Sequence, residues 1–194
     1  MKCIKKDPAH EPNTLTIYRE TTPNASFNGG NFDKQALREV LVTEQGYLCA
    51  YCNRRIAADA KHVEVEHYIT QTRHTDSVFS DAEHKDNELR YTNMLATCNY
   101  GGHSCSGVRG NTPLYINPCN NTCETLLIFD NNGNAISDNT AVKKDINTLN
   151  LQKWTTQRKA VIDKARADLL KNGRYTTTQI DKEIAKWRSL RKKT

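Results

Sequence analysis

The sequence lacks any long apolar run, since no stretch reaches the ~18 consecutive apolar residues that a membrane-spanning helix needs. Its start, Met1 to His10, is polar and basic and lacks the apolar core of a secretory signal. Internal repeats and low-complexity tracts are missing as well. These absences argue against membrane, secreted and repeat proteins. We therefore expect a cytoplasmic chain with no membrane contact.

The chain contains seven cysteines, and the expected cytoplasmic location decides whether they are interpreted as disulfides or as metal ligands. A reducing cytoplasm disfavours disulfides, and the count is odd, so metal ligation is the better interpretation of a well-spaced subset. Two pairs, Cys49 with Cys52 and Cys98 with Cys105, have suitable spacing. Structural zinc takes four tetrahedral ligands, commonly from two turns that are separated in sequence. We predict a structural Zn²⁺ ion held by these four thiolates.

Other interpretations of the cysteines stay open. His103 could replace one ligand of the second pair, because it lies in the same glycine-bearing turn. Cys98 and Cys105 could also be buried thiols without a metal, since free cysteine is often buried. No metal role is predicted for the other cysteines, which are Cys3, Cys119 and Cys123.

Composition divides the chain into three parts. Residues 1–30 contain three of the five prolines and end in Asn-Gly-Gly, which is typical of an extended arm with turns. Residues 31–140 contain both cysteine pairs and a predicted hairpin. Residues 141–194 form a basic helical tail, in which fifteen Lys and Arg from Lys143 onward outnumber five Asp and Glu. The expected fold class is α+β, with helices and this tail flanking a small zinc-braced core.

Apolar periodicity and turn residues predict the single elements. Asp33 can cap a helix that ends near Gly46, just before the first cysteine pair. Val63 and Val65 alternate with polar neighbours, which is the pattern of a strand. Further elements are a loop with a short helix over 70–88, a short helix or turn over 89–98, a hairpin over 125–136, a tail helix with Trp154, Val161, Ile162, Leu169 and Leu170, and a second tail helix with Ile180, Ile184, Trp187 and Leu190.

The tail suggests a kind of partner. The whole chain carries a formal net charge of +6, whereas the part before Lys143 carries −4. A basic tail on a near-neutral body favours a polyanion such as nucleic acid, or an acidic protein, as its partner. A solvated basic helix without a partner is an equally good interpretation of the tail alone, because charge runs are common on exposed faces.

Glu66 and His67 end the predicted strand between the two cysteine pairs. Alone this dipeptide is weak evidence for a catalytic site, because a single histidine more often has a structural role. The order of motifs is more specific: a Cys-x-x-Cys knuckle, a strand that ends in Glu-His, then Asn93-Met-Leu, then a cysteine-rich turn. Adjacent strand residues face opposite sides, so Glu66 and His67 converge on one phosphate only if the strand bends or ends there.

This order resembles the HNH (ββα-metal) endonuclease family over residues 45–112. The motifs that carry the resemblance are Cys49-Ala-Tyr-Cys52, Val65-Glu-His-Tyr-Ile69, Tyr91-Thr-Asn-Met-Leu-Ala-Thr-Cys98 and Cys105-Ser-Gly-Val-Arg-Gly110. The resemblance implies a zinc-braced ββα-metal core that hydrolyses phosphodiester bonds in DNA or RNA with the help of a divalent metal ion.

The resemblance also implies roles for single residues. His67 is the expected general base, because a neutral imidazole can take the proton of the attacking water. Glu66 is the expected ligand of a catalytic Mg²⁺ or Mn²⁺ ion, which prefers oxygen ligands. Asn93 would orient His67 or brace its loop, and Arg109 would contact the scissile phosphate. Ser106 stands where many members have Asn, His or Asp as a second metal ligand. Its hydroxyl is one candidate for this ligand, and Asn111 or a water molecule is the alternative.

More narrowly, the chain is similar to the PtuB-type HNH proteins of Septu and retron anti-phage systems. The start Met1-Lys-Cys-Ile-Lys-Lys6, the Cys-Ala-Tyr-Cys knuckle, and Leu149-Asn-Leu151 before a helix with Arg158 carry this similarity. It implies an antiviral role and a PtuA-type ATPase partner, alone or with a retron reverse transcriptase and its msDNA. Two other classes stay open: a catalytically inactive zinc-braced nucleic-acid-binding or adaptor protein, and a scaffold whose tail binds an acidic protein.

Overall fold

The computed structural model describes residues 1–99 and 103–171, and after these only Tyr175, Thr176, Thr178, Gln179 and Lys182. Within this part the fold is α+β, as expected, with seven α-helices and two small antiparallel sheets. The helices are α1 (Asn13–Thr21), α2 (Lys34–Glu44), α3 (Asp81–Asn87), α4 (Ser106–Arg109), α5 (Cys123–Leu126), α6 (Thr140–Thr148) and α7 (Thr155–Leu170). The strands are β1 (Val63–His67), β2 (Met94–Cys98), β3 (Ile128–Phe129) and β4 (Ala135–Ile136). Short 3-10 turns cover Pro8–His10, Tyr91–Asn93 and Leu151–Trp154.

The antiparallel pair β1–β2 lies at the centre of the fold. Its register runs from Val63 opposite Cys98 to His67 opposite Met94. The outer edge of β2 is covered by Gln45, whose Nε2 donates to Ala96 O over 2.8 Å and whose Oε1 accepts from Ala96 N over 2.7 Å. This amide takes the place of a third strand, so the buried backbone groups of β2 keep their hydrogen-bond partners.

The helix α2 ends as the sequence predicts and leads the chain into the first cysteine pair. The carboxylate of Asp33 accepts hydrogen bonds from two backbone N–H groups of the first turn. Gly46 and Tyr47 have φ angles of +63° and +61°, a left-handed conformation that ends the helix and turns the chain. The predicted helix is confirmed, and so is the strand predicted from Val63 and Val65.

The prediction of a short helix or turn over 89–98 is wrong for its second half. Tyr91–Asn93 is a 3-10 turn, but Met94–Cys98 is the strand β2. All five residues of β2 are buried, so the alternation of apolar and polar residues that marks a half-exposed strand is missing. Pairing with β1, which the local sequence does not reveal, decides the conformation.

The polar segment after β1 contains the short helix predicted for it. The helix α3 begins at a capping box, in which Ser80 and Glu83 each cap the other's backbone N–H. His84 is buried on this helix, with its ring nitrogens on the Thr70 carbonyl and the Ser77 hydroxyl. His84 therefore ties the loop before α3 back onto the helix.

The expected extended arm over 1–30 contains a helix instead. The helix α1 buries Leu15 completely but no other residue. A single buried position gives no 3.6-residue apolar pattern, so this helix could not be recognised from periodicity. The first residues also pack against the body: Met1 and Ile4 are buried in the core, and Ile4 N donates to Pro118 O over 2.8 Å.

The predicted hairpin is confirmed as β3–β4, and α6 and α7 supply the helical character expected of the tail. The apolar residues of α7 do not form a core, however. Val161 and Leu170 are 67% and 69% exposed, and α7 buries none of its residues. The second tail helix, predicted with Ile180, Ile184, Trp187 and Leu190, lies outside the described residues. Among the helices that are described, none combines the length and apolarity needed to cross a membrane.

Candidate metal centre and the Glu-His site

Four buried cysteines converge at one point. Their sulfur atoms lie within 4.8 Å of one another, with Sγ–Sγ distances of 3.7 Å for Cys49–Cys105, 3.7 Å for Cys52–Cys98 and 3.5 Å for Cys98–Cys105. A tetrahedral zinc ion with Zn–S bonds of about 2.3 Å separates its sulfur ligands by about 3.8 Å. The donor set and its spacing therefore fit a metal such as Zn²⁺. His103, the alternative ligand, is exposed and is not a member of this cluster.

The chain builds this centre from two turns. In the first, Cys49 N donates to Arg54 O over 2.8 Å, and Asn53 adopts a φ of +57°, which closes the Cys-x-x-Cys turn. In the second, Cys98 ends β2 and Cys105 precedes α4. Cys98 N also donates to Cys49 Sγ over 3.3 Å, a backbone bond that orients a ligand sulfur. The two turns are thus joined directly at the sulfur atoms.

Basic side chains lie beside the thiol cluster. Burial lowers the pKa of Arg158, and the nearby Cys52 and Cys105 act in the opposite direction. The guanidinium of Arg54 lies 4.1 Å from the centroid of the Trp154 ring. Four thiolates around Zn²⁺ carry a net negative charge, which adjacent arginines stabilise. The start of α7 therefore docks where the charge of a filled metal centre would attract it.

Glu66 and Arg109 form a buried ion pair. Their side chains are 11% and 0% exposed, and Arg109 Nη1 donates to the carboxylate. The hydroxyl of Tyr51 donates to Glu66 Oε1 over 3.1 Å. Burial raises the pKa of Glu66, while Arg109 and Tyr51 act in the opposite direction. The carboxylate expected to bind a catalytic metal ion is thus already neutralised by a cation of the protein.

Arg109 anchors backbone in this arrangement. Its guanidinium donates to the carbonyls of His67 over 3.1 Å, Tyr68 over 2.6 Å and Thr112 over 2.9 Å. These bonds fix the end of β1 to α4. The side chain of Arg109 is fully buried in this arrangement, and its expected contact with a phosphate stays a prediction. The sequence could not reveal these bonds, since the acceptors are backbone carbonyls of a distant segment.

His67 is 5% exposed and has a defined tautomer. Its Nε2 lies 2.9 Å from the carbonyl oxygen of Glu88. A carbonyl only accepts, so Nε2 carries the proton and Nδ1 is left as the acceptor of the ring. The ring of Phe27 packs edge to face against the imidazole, with 4.7 Å between the centroids. Burial lowers the pKa of His67 to about 4, so the imidazole is neutral at pH 7.

Glu66 and His67 do not converge in this structure. Glu66 faces Arg109, whereas His67 faces Phe27, as expected for neighbours on a regular strand. The strand β1 stays paired with β2 through His67. The bend that would bring both side chains to one phosphate is therefore not present in β1.

Asn93 braces the loop that follows β1, which is one of the two roles predicted for it. Its Oδ1 accepts from Ile69 N over 2.8 Å, and its Nδ2 donates to Ile69 O and Asn87 O, both over 2.9 Å. The residue is 5% exposed. Among the described residues, no hydrogen bond joins its side chain to the ring of His67. Asn93 thus acts on the loop beside the base.

Ser106 hydrogen-bonds to Glu64, two residues before Glu66. Its Oγ donates to Glu64 Oε2 over 2.7 Å and lies 2.8 Å from the hydroxyl of Thr97. In the described part of the chain, the four cysteines are the only group of three or more His, Cys, Asp and Glu side chains close enough to hold a metal. In this arrangement the residues present therefore do not fit the expected catalytic Mg²⁺ or Mn²⁺.

Several residues of this site were missed in the sequence. Phe27 and Glu88 lie in segments far from His67 in the chain, so only the fold brings them to it. Tyr51 is different, because it lies inside the Cys-Ala-Tyr-Cys motif. Its complete burial and its bond to Glu66 give this tyrosine a role that the motif could have suggested.

Comparison with known proteins does not assign the chain to a family: no protein-family model matches it, and no curated protein matches it significantly. A four-cysteine group that could hold a metal such as zinc lies beside the antiparallel strand pair β1–β2. A neutral, oriented imidazole lies at the end of β1.

Proposed function

We propose that the chain is an endonuclease of the HNH type, which hydrolyses phosphodiester bonds in DNA or RNA. The observation that carries the proposal is His67 at the end of β1, a neutral imidazole whose Nε2–H is fixed on a backbone carbonyl. The order of elements supports it as well, since β1, β2 and α4 occur in this order along the chain, with α3 between the two strands, and Cys98 and Cys105 lie at the end of β2 and before α4. That order is the one implied by the resemblance in sequence.

In the proposed reaction, Nδ1 of His67 takes a proton from the water that attacks phosphorus. The P–O bond to one ester oxygen breaks, and this leaving oxygen takes a proton from solvent water. A general base contributes typically a factor of about 10² to 10⁴ to the rate. Burial keeps the imidazole in its basic form but also makes it a weak proton acceptor, with a pKa of about 4. Contact with water would return the pKa toward 6.5, where proton transfer near neutral pH is most effective.

The requirement for a catalytic Mg²⁺ or Mn²⁺ stays a prediction. Glu66 would have to release Arg109 before its carboxylate could bind a cation. Ser106 would bring only a neutral hydroxyl, which at present donates to Glu64. The rate of cleavage with and without added Mg²⁺ or Mn²⁺ therefore tests this requirement.

The surroundings of the site have roles in the same proposal. Zinc would brace the strand pair β1–β2 against α4, and the basic tail would contact phosphates without sequence preference. We further propose a cytoplasmic role in anti-phage defence under the control of a PtuA-type ATPase, alone or with a retron reverse transcriptase and its msDNA. The similarity to PtuB-type proteins in sequence is the support for this partner.

A nuclease assay tests the proposal. The zinc-loaded chain and its His67→Ala variant are incubated with duplex DNA, single-stranded DNA and tRNA, with and without Mg²⁺ or Mn²⁺. His74→Ala serves as the matched control, because the hydrogen bond described for the His74 ring is a local one, from the backbone N–H of Asp76. We expect cleavage by the wild type and by His74→Ala, and a loss of at least about 10²-fold in His67→Ala at equal zinc content. Equal cleavage by wild type and His67→Ala would disprove the assignment of the base.

A catalytically inactive zinc-braced nucleic-acid-binding or adaptor protein is the second candidate. The neutralised carboxylate of Glu66 and the uncharged hydroxyl of Ser106 favour it. This candidate predicts binding to nucleic acid that weakens steeply with salt, because phosphate contacts release counterions, with no cleavage under any condition. If the chain binds neither DNA nor RNA, the remaining interpretation is a scaffold whose basic tail binds an acidic protein.

A further inference from the structure

One segment, residues 22–32, lies over the proposed base, and we term it the cover loop. Its Phe27 ring meets the ring of His67 edge to face, with 4.7 Å between centroids. Phe27 also packs against Phe32 at 5.6 Å, and the ammonium group of Lys34 lies 5.0 Å from the Phe27 centroid. His67 is only 5% exposed, so in this arrangement the imidazole offers almost no surface to a phosphate, and Phe27 is one of the groups packed against it.

Polar contacts hold the cover loop to α3 and to the residue that follows this helix. Phe27 N donates to Glu88 Oε1 over 2.8 Å. Lys85 Nζ donates to Glu88 Oε2 over 2.8 Å and to Ala25 O over 2.9 Å. The backbone carbonyl of Glu88 accepts from His67 Nε2. Glu88 therefore binds the base through its backbone and the cover loop through its carboxylate.

Inside the cover loop, Gly29 N donates to Ser26 Oγ over 3.4 Å, and the Tyr18 hydroxyl of α1 donates to Ser26 O over 3.1 Å and accepts from Ser26 N over 3.3 Å. The cover loop contains no helix or strand, and its own backbone bonds, Ala25 N to Thr22 O and Gly30 N to Phe27 O, are both 3.3 Å long. The Lys85 side chain is 55% exposed, so water and salt screen its contacts. A loop without regular structure that is held by such contacts belongs to the least stable parts of a fold.

We propose that the cover loop is an autoinhibitory cover, latched by Glu88 and Lys85, which must lift before His67 can act. This inference deepens the proposed nuclease function and rests on it. Lifting would remove Phe27 from the imidazole and admit water to Nδ1, while the Glu88 carbonyl continues to hold the tautomer. A partner or substrate that binds only the lifted form would activate the chain by shifting its population.

Histidine acylation by diethyl pyrocarbonate measures the opening without depending on cleavage. The reagent modifies neutral, accessible imidazole, and fragment masses assign the modification to single histidines of the zinc-loaded full chain. In the wild type we expect His67 to react far more slowly than His10, whose side chain is 57% exposed. His84 is the internal control, because it is buried but its hydrogen bonds are to Thr70 and Ser77.

Two variants open the latch in different ways. Lys85→Met removes the hydrogen bonds that the exposed Lys85 ammonium group donates to Glu88 and to Ala25 O. It should speed the acylation of His67 about two- to fivefold, because water and salt weaken such contacts. Phe27→Ala removes the cover itself and should speed it at least tenfold, that is, about 1.4 kcal/mol or more in the opening equilibrium. The matched control is Lys159→Met, which breaks an exposed Lys–Asp pair on α7 and should change nothing at His67.

The acylation rate of His67 tests the cover loop, and cleavage of nucleic acid tests the nuclease, so the two proposals can fail separately. Acylation of His67 in the wild type at the rate of His10, or no acceleration in Phe27→Ala, overturns the cover. Acceleration of His67 with His84 unchanged supports it, whether or not nucleic acid is cut. If nucleic acid is cut, cleavage by the isolated chain should rise in the same order, from wild type to Lys85→Met to Phe27→Ala. Faster acylation without cleavage in any variant would keep the cover and disprove the nuclease.

Discussion

The guanidinium of Arg109 and the carboxylate of Glu66 form an ion pair at the junction of α4 and β1, and protein surrounds the guanidinium completely. Arg109 also donates to the carbonyls of His67 and Tyr68, so the same side chain holds the strand end that carries the proposed base. Removal of one partner of such a pair leaves a buried charge without compensation. Arg109 is therefore expected to determine stability more than phosphate binding.

The first prediction concerns this pair. Arg109→Met should lower the free energy of unfolding of the zinc-loaded chain by about 3–5 kcal/mol, because the Glu66 carboxylate stays buried without a cation. Arg109→Lys should also destabilise, since an ammonium group cannot reproduce the planar set of donors. Urea denaturation followed by circular dichroism measures both changes.

The matched control for Arg109 is Arg73→Met, at an exposed arginine. It should change the free energy of unfolding by no more than about 0.5 kcal/mol. The double variant Glu66→Gln with Arg109→Met should lose less stability than the sum of the two single variants, because neither charge is left alone. An Arg109→Met protein as stable as Arg73→Met would contradict the buried pair.

The second prediction concerns Asn93. Asn93→Ala should cost about 1–3 kcal/mol, because the N–H and carbonyl of Ile69 lose their partner at a buried position. Asn93→Asp should cost more than Asn93→Ala at pH 7, since it places a carboxylate against the carbonyls of Ile69 and Asn87. Chemical denaturation of the three proteins side by side tests this order. Equal stability of wild type and Asn93→Asp would show that the amide does not brace the loop.

The metal centre is the feature that the sequence predicts best. A Cys-x-x-Cys spacing allows few geometries, so Cys49 and Cys52 must share a turn, and a second cysteine pair is the natural complement. The helix α2 was predictable for a similar local reason, because Asp33 and Gly46 mark its two ends. Such features depend on residues that are near one another in the chain.

The surroundings of His67 depend on contacts between distant segments and were not predictable. The strand β2 was missed because its conformation comes from pairing with β1 rather than from its own pattern. The acceptors of Arg109 include the carbonyls of His67 and Tyr68, which its local sequence does not indicate. Phe27 lies in the segment predicted as an extended arm, and the fold packs its ring against the imidazole of His67. Each of these features depends on tertiary contact and not on local propensity.

The third prediction concerns the four-cysteine cluster. The purified chain should contain roughly one equivalent of zinc, and Cys52→Ser should lose it. Removal of zinc by a strong chelator should lower the Tm by more than about 10 °C, because the thiols are buried and hold two distant turns together. Cys119→Ser is the matched control and should keep its zinc, since Cys119 lies outside the cluster. A chelated chain with unchanged Tm would show that the cluster is not a structural zinc site.

The last prediction concerns the pH dependence that His67 imposes on stability. Burial lowers its pKa to about 4 in the folded chain, against 6.5 when it is exposed. Between these values the unfolded chain binds a proton that the folded chain does not, so stability is fully present above pH 6.5 and falls as the pH is lowered. From pH 7 to pH 5 the free energy of unfolding should fall by about 2 kcal/mol because of His67.

The variant His67→Gln should lack this pH-dependent loss, whereas His74→Gln should retain it. Denaturation of the three zinc-loaded proteins at pH 5, 6 and 7 gives the difference directly, because loss of zinc or protonation of carboxylates affects all three alike. Parallel profiles for the wild type and His67→Gln would mean that the imidazole is exposed to water in solution and that the cover over it is open.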